Sequence, residues 1–108
     1  MKEILKQKVN SILFQMGMSE KYIAFEYLSI IVTRLIEDNN DTKITYKQAL
    51  KDIMEQYHVT ERTIIQGLNH IMKNCTQNEL SKQLVLELKH NTYNKILIIK
   101  NYVNKNLI

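Results

Sequence analysis

The segment YHVTERTIIQGLNHIMKN, residues 57–74, is the stretch that decides which fold this chain adopts. On a helix that turns by about 100° per residue, four apolar side chains share one side. They are Ile64, Leu68, Ile71 and Met72, with Ile65 at their edge. Thr60 stands where a residue that caps the start of a helix is needed. The segment therefore predicts an amphipathic helix over about residues 60–74.

The opposite side of this predicted helix carries hydrogen-bond donors and no acid. Its residues are Arg62, Thr63, Gln66, Asn69, His70 and Lys73. Arginine, glutamine and asparagine hydrogen-bond guanine or adenine edges, and a threonine methyl can meet the methyl of thymine. We therefore expect all of these except Lys73 to face the bases of duplex DNA. The plain alternative is a solvated surface, because two cations in a helix of this length are common on helices that bind nothing.

The segment ITYKQALKDIMEQYH, residues 44–58, precedes this helix and repeats apolar residues at helical spacing. Thr45 is expected to cap a helix that ends near Tyr57. Two helices joined by about four residues have the layout of a helix-turn-helix, here over about residues 45–74, although plain helical hairpins also reach this size. If the segment binds DNA, five residues are expected to hold phosphates: Lys43, Lys47, Lys51, Thr60 and Lys73.

The rest of the chain also favours an all-α fold, because it contains no proline and only two glycines. A first helix is expected to end at Gly17 in a left-handed cap, and Ser19 is expected to cap the next one. That second helix, about residues 19–38, is apolar on most sides, so we expect it to be the central helix. Two further helices, about residues 78–88 and 92–106, complete a bundle of about six.

Composition indicates one soluble domain over residues 1–108, with 44% hydrophobic and 24% charged residues. No apolar run reaches the roughly 18 residues that a membrane span needs. The N-terminus lacks the continuous apolar core of a signal peptide, so we expect a cytoplasmic protein. Cys75 is the only cysteine and cannot form an intrachain disulfide. The net charge of +4 permits an anionic partner such as nucleic acid but is weak evidence for one.

Patterns typical of enzymes and metal sites are absent from the sequence. His58, His70 and His90 are scattered along the chain and share no metal-ligand spacing. There is no glycine-rich phosphate loop and no nucleophile elbow. We therefore expect no enzymatic activity, no cofactor and no metal.

Three segments together carry a resemblance to a known family. They are ILFQMGMSEKYIAFEYLSIIVTRLIED (residues 12–38), ITYKQALKDIMEQYHVTERTIIQGLNHIM (residues 44–72) and HNTYNKILIIKNYVN (residues 90–104). In order and spacing they resemble the C-terminal effector domain of the sporulation initiation response regulator of endospore-forming bacteria. The resemblance covers nearly the whole chain and rests most on Gly17, Tyr46, Tyr57, Thr60 and His70.

The resemblance implies an all-helical domain that binds short DNA boxes through its fourth helix and regulates transcription. The family's receiver domain has no counterpart in this chain. Its recognition helix also differs, because the family's arginine and glutamate positions fall on Thr63 and Ile65 here. Further arginine positions fall on Gln66 and Asn69, and only His70 is retained. The family's DNA target is therefore not carried over to this chain.

Two functions remain open at this point. The first is a DNA-binding transcriptional regulator with the helix over residues 60–74 in the major groove. Its footprint is small, so a second copy of the chain or tandem sites would be needed for useful affinity. The alternative is a protein-interaction module that modulates a full-length regulator, or contacts RNA polymerase, without reading DNA. Phe14 and Ile65, expected to be exposed apolar residues, motivate this alternative.

Overall fold

A computed structural model describes residues 2–38, 42–73 and 91–107 of the chain. These ranges contain five helices and no strand, which confirms the all-α class. The helices are α1 (Lys2–Gln15), α2 (Ile23–Glu37), α3 (Thr42–Tyr57), α4 (Glu61–Lys73) and α5 (Thr92–Lys105). The helix predicted over about residues 78–88, together with Cys75 and His90, lies outside the described residues. Within the described ranges, no helix is both long enough and apolar enough to cross a membrane.

The end of α1 follows the prediction made from Gly17. Gly17 has φ 94°, the left-handed conformation that residues with a Cβ rarely adopt. Its backbone N–H donates to Phe14 at 3.0 Å, and the N–H of Met18 donates to Leu13 at 3.2 Å. This pair of bonds is a Schellman cap, and it reverses the chain toward α2.

The start of α2 differs from the prediction, because the helix begins at Ile23 rather than at Ser19. Ser19 Oγ accepts a hydrogen bond from the backbone N–H of Lys21 at 3.3 Å, which holds a turn before the helix. Serine hydroxyls compete with helical hydrogen bonding in this way. Tyr22 is the N-cap residue, and its side chain makes no capping hydrogen bond.

The helix α2 is the central element of the described fold. It contacts each of the other four described helices, which confirms the expectation from its broad apolar surface. Leu28, Ile31 and Val32 are fully buried in its middle. Packing this helix against its neighbours brings buried apolar side chains from all five described helices into one core.

The helix α3 begins at Thr42, so Thr45 is not its N-cap. Thr45 is buried inside the helix, and its hydroxyl donates to Asp38 Oδ2 at 2.7 Å. This hydrogen bond satisfies a buried hydroxyl and links the end of α2 to α3. A predicted cap is therefore a contact between two helices.

The helix α5 is attached to α3 and α4 near its N-terminus. Asn91 Oδ1 accepts from the backbone N–H of Asn94 at 2.9 Å, which caps the helix. The Tyr93 hydroxyl lies 2.7 Å from Thr42 Oγ1, and its ring centroid lies 4.9 Å from that of Tyr46. These contacts fix the start of α5 beside the helices that form the candidate site.

Candidate nucleic-acid interface

The chain passes from α3 to α4 through three residues, 58–60. His58 adopts a left-handed φ of 55°, a conformation in which histidine is enriched among residues other than glycine. The backbone N–H of Val59 donates to Met54 at 3.3 Å, which closes the end of α3. Consecutive helices joined by so short a turn have the connection that a helix-turn-helix requires, and the motif itself stays a prediction.

Thr60 caps α4, as its sequence position predicts. Its Oγ1 accepts from the backbone N–H of Thr63 at 3.2 Å and lies 3.0 Å from the Thr63 hydroxyl. An N-cap hydrogen bond of this kind satisfies one of the free N–H groups in the first helical turn. The predicted phosphate contact of Thr60 would therefore have to share an oxygen that already holds the helix.

One side of α4 is built into the core. Ile64, Leu68, Ile71 and Met72 are all buried, which confirms the predicted apolar side. Ile65 is partly buried and packs against this core, so it is not the exposed apolar residue that the protein-interaction alternative assumed. A buried side of this extent fixes the rotation of α4 about its axis and determines which side faces solvent.

The other side of α4 presents a row of exposed polar residues. Arg62, Gln66 and Lys73 are exposed and follow one another at helical spacing over roughly 16 Å. Thr63 and His70 are exposed beside this row. These five residues are hereafter called the donor face, because each can donate a hydrogen bond.

Asn69 lies at the edge of the donor face and is half-buried. Its Oδ1 accepts a hydrogen bond from the Thr92 hydroxyl at 2.8 Å, which joins α4 to the start of α5. Bidentate recognition of adenine needs both the oxygen and the nitrogen of an asparagine amide. Because the Asn69 oxygen already accepts a hydrogen bond from Thr92, Asn69 is less suited than Gln66 to contact a base.

His70 packs against Tyr22, a residue that the sequence did not single out. Their ring centroids lie 5.3 Å apart with the planes at 81°, an edge-to-face arrangement of two aromatic rings. Tyr22 is the N-cap of α2, so the start of α2 lies directly beside the donor face. No periodicity in the sequence links these two positions.

Glu61 is the one acid of α4, and its charge affects the pKa of Tyr46 on α3. Burial raises the pKa of Tyr46 to about 12, and the negative charge of Glu61 and the neighbouring Tyr93 add to the effect. An electrostatic effect of this kind requires Glu61 to lie near Tyr46. Glu61 is also one helical position, about 100°, away from Arg62, so the donor face itself carries no acid.

A second basic row lies on α3. Lys43, Lys47 and Lys51 are exposed at intervals of four residues, which spans about 12 Å along the helix. Two acids lie near this row: Asp52 forms an ion pair with Arg34 of α2, which offsets its charge, and Glu55 is exposed one turn after Lys51. The lysines predicted to contact phosphates therefore lie on two consecutive helices, three on α3 and Lys73 at the end of α4.

One further question concerns metal ions, in the part of the chain that the structure describes. It holds no group of three or more histidine, cysteine, aspartate or glutamate side chains placed to bind a metal ion. The chain matches no protein-family model, no curated protein and no solved structure. The resemblance to the sporulation effector family therefore stays a prediction.

Proposed function

We propose that this chain binds duplex DNA by inserting α4 into the major groove as the second helix of a helix-turn-helix, and that it thereby regulates transcription. The observation that supports this proposal most is the donor face, which is exposed, free of acids and opposite a fully buried side. Arg62 and Gln66 have the side chains that read guanine and adenine edges. Thr63 lies beside Arg62 and Gln66, and His70 and Lys73 extend the same surface toward the C-terminal end of the helix.

The rigidity of α4 supports the same function. Its start is capped by Thr60, one side is buried, and Asn69 and His70 contact α5 and α2. A helix held in this way presents its donors in a fixed arrangement, so less conformational entropy is lost when a duplex binds. This preorganisation matters because two cations alone supply a modest attraction to DNA.

Phosphate contacts would come from Lys43, Lys47, Lys51 and Lys73. Each phosphate neutralised by a lysine releases counterions, which makes affinity fall as salt rises. One domain of this size covers a short site, so we expect two copies on adjacent half-sites. The resemblance to the sporulation effector family, whose domains bind DNA as tandem copies, is consistent with this arrangement and with a cytoplasmic location.

The salt dependence of duplex binding tests this mechanism. We expect log Kd to change linearly with log salt concentration, with a slope set by the number of phosphates contacted. The Lys47→Gln plus Lys51→Gln variant should reduce that slope by about 2. Affinity that does not depend on ionic strength would contradict phosphate contacts and, with them, the proposed function.

A second function is favoured by one observation, two exposed apolar side chains outside α4. Phe14 is 61% exposed and Ile23 is 56% exposed, and exposed apolar side chains are the kind that protein partners bury. They could contact RNA polymerase or a full-length regulator. A Phe14→Ser variant that loses binding to one of these purified partners, in a chain that enriches no duplex, would favour this function over DNA reading.

A further inference from the structure

Two independent contacts bring the start of α2 against α4. The rings of Tyr22 and His70 pack edge to face at a centroid distance of 5.3 Å. One turn earlier on α4, a Cβ added to Gly67 would lie 3.2 Å from the Cβ of Ala24. The absence of a side chain at Gly67 thus lets α2 approach α4 closely, and Tyr22 borders the donor face.

The segment beside the donor face carries two exposed side chains that suit a phosphate. Lys21 is exposed, and its backbone N–H is held by Ser19 in the turn before α2. Tyr22 is 44% exposed although its ring contacts His70. A lysine ammonium and a tyrosine hydroxyl both donate to phosphate oxygens. Glu20 is also exposed here, and its charge reduces the net attraction of the segment without removing either donor.

A helix in the major groove lies between two phosphate backbones, so an element beside the exposed side of that helix is placed to meet one of them. Tyr22 contacts α4 at His70, and the exposed Lys21 precedes Tyr22 in the chain. We propose that Lys21 and Tyr22 contact the DNA backbone at the edge of the groove that α4 enters. This inference rests on the proposed function and extends the binding surface from α4 to the turn between α1 and α2.

The test uses the full chain and a duplex that the wild-type chain selects from a random pool. Lys21→Gln removes one cation from the segment, and we expect it to lower the slope of log Kd against log salt by about 1. Tyr22→Phe keeps the ring against His70 and removes only the hydroxyl. We expect it to weaken affinity by roughly tenfold or more without a change in slope, because it removes one hydrogen bond to a charged group.

The matched control is Lys8→Gln, an exposed lysine of α1 beside Asn106 and Leu107. These residues follow the C-terminus of α5, roughly 20 Å along that helix from Thr92, which contacts α4. We therefore expect Lys8→Gln to leave the salt slope unchanged. Circular dichroism should show the same helicity for all three variants, because each substituted side chain is at least partly exposed.

The outcomes separate this inference from the proposed function. If the wild-type chain selects no duplex, the proposed function fails and this inference fails with it. If the wild type binds a duplex but Lys21→Gln and Tyr22→Phe both behave like Lys8→Gln, DNA binding stands and the inference is overturned. Loss in only one of the two variants assigns the phosphate contact to that residue and removes the other from the surface.

Discussion

Gly67 of α4 lies so close to Ala24 of α2 that a Cβ at position 67 would be 3.2 Å from the Ala24 Cβ. The two helices therefore touch almost backbone to backbone at this point. The close approach sets the distance between α4 and the central helix α2, and Tyr22 contacts His70 near the same point. A packing detail in the core thus determines which residues border the donor face.

Enlarging residue 67 should separate α4 from α2. We expect Gly67→Leu to lower the free energy of unfolding by about 1–3 kcal/mol or more, because the added side chain overpacks the contact with Ala24. Gln66→Leu introduces the same side chain at the preceding position, which is exposed, and should change the free energy of unfolding by only about 0.5 kcal/mol. Urea unfolding measures both variants. Equal stability of Gly67→Leu and wild type would mean that α2 and α4 are not in close contact.

Removing the cap of α4 should destabilise the chain. Thr60→Ala leaves the N–H of Thr63 without its side-chain acceptor, and we expect a loss of about 1 kcal/mol in the free energy of unfolding. Thr60→Ser keeps the acceptor and is the control, with a smaller expected loss. Denaturant midpoints at constant m-value report the difference. A Thr60→Ala chain as stable as Thr60→Ser would show that the hydrogen bond to Thr63 adds nothing.

We expect Asn69 to contribute to stability and Gln66 to contribute to base recognition. Asn69→Ala leaves the half-buried Thr92 hydroxyl without its acceptor, so we expect a stability loss of about 1 kcal/mol. Gln66 is exposed, so Gln66→Ala should change the free energy of unfolding by no more than about 0.5 kcal/mol. The same substitution should reduce the sequence preference in the selected duplexes. Unfolding curves and duplex selection on both variants provide the comparison. If Asn69→Ala changed the selected sequence and Gln66→Ala changed stability, Asn69 and not Gln66 would be the base contact.

Alkaline pH should weaken the fold through Tyr46. Burial, with Glu61 and Tyr93 adding to it, raises the pKa of Tyr46 from 10.0 to about 12. Between these values the unfolded chain has lost the tyrosine proton and the folded chain still holds it, so stability falls as pH rises. The contribution is fully present below pH 10.0 and is lost as pH rises through about 12.

The Tyr46→Phe variant isolates this effect. Phenylalanine has no proton to lose, so its free energy of unfolding should fall less than that of the wild type as pH rises from 10.0 to about 12. Urea unfolding across that range measures the two slopes. Burial, and then Tyr57, also raises the pKa of Tyr27, so some loss remains in the variant. Identical slopes in both proteins would mean that Tyr46 titrates at its ordinary pKa when folded.

The features that the sequence predicted are those that depend on neighbours along the chain. The buried side of α4 follows from helical spacing, the left-handed Gly17 from its position after α1, and the Thr60 cap from its position before α4. The central position of α2 follows from its broad apolar surface. In each case the pattern lies within one helix or at its end, where periodicity and capping rules apply.

The features that the sequence did not predict are contacts between separate helices. Tyr22 on His70, Thr92 on Asn69 and Thr45 on Asp38 each depend on how two elements pack. A threonine before a helical pattern predicts a cap, yet at Thr45 packing uses the hydroxyl to join α2 and α3. Asn69 similarly fits a base-reading pattern until α5 is placed beside it. These contacts decide how much of the donor face is available to a ligand.

The most direct test of the central claim is a selection of bound duplexes from a random DNA pool by three proteins. They are the wild type, the Arg62→Ala plus Gln66→Ala variant, and a Gln7→Ala plus Lys8→Ala control that removes the same kinds of side chain from the exposed surface of α1. We predict that the wild type and the α1 control enrich one motif and that the α4 variant loses it. No enrichment by the wild type, or equal enrichment by all three, would contradict α4 as the helix that reads DNA.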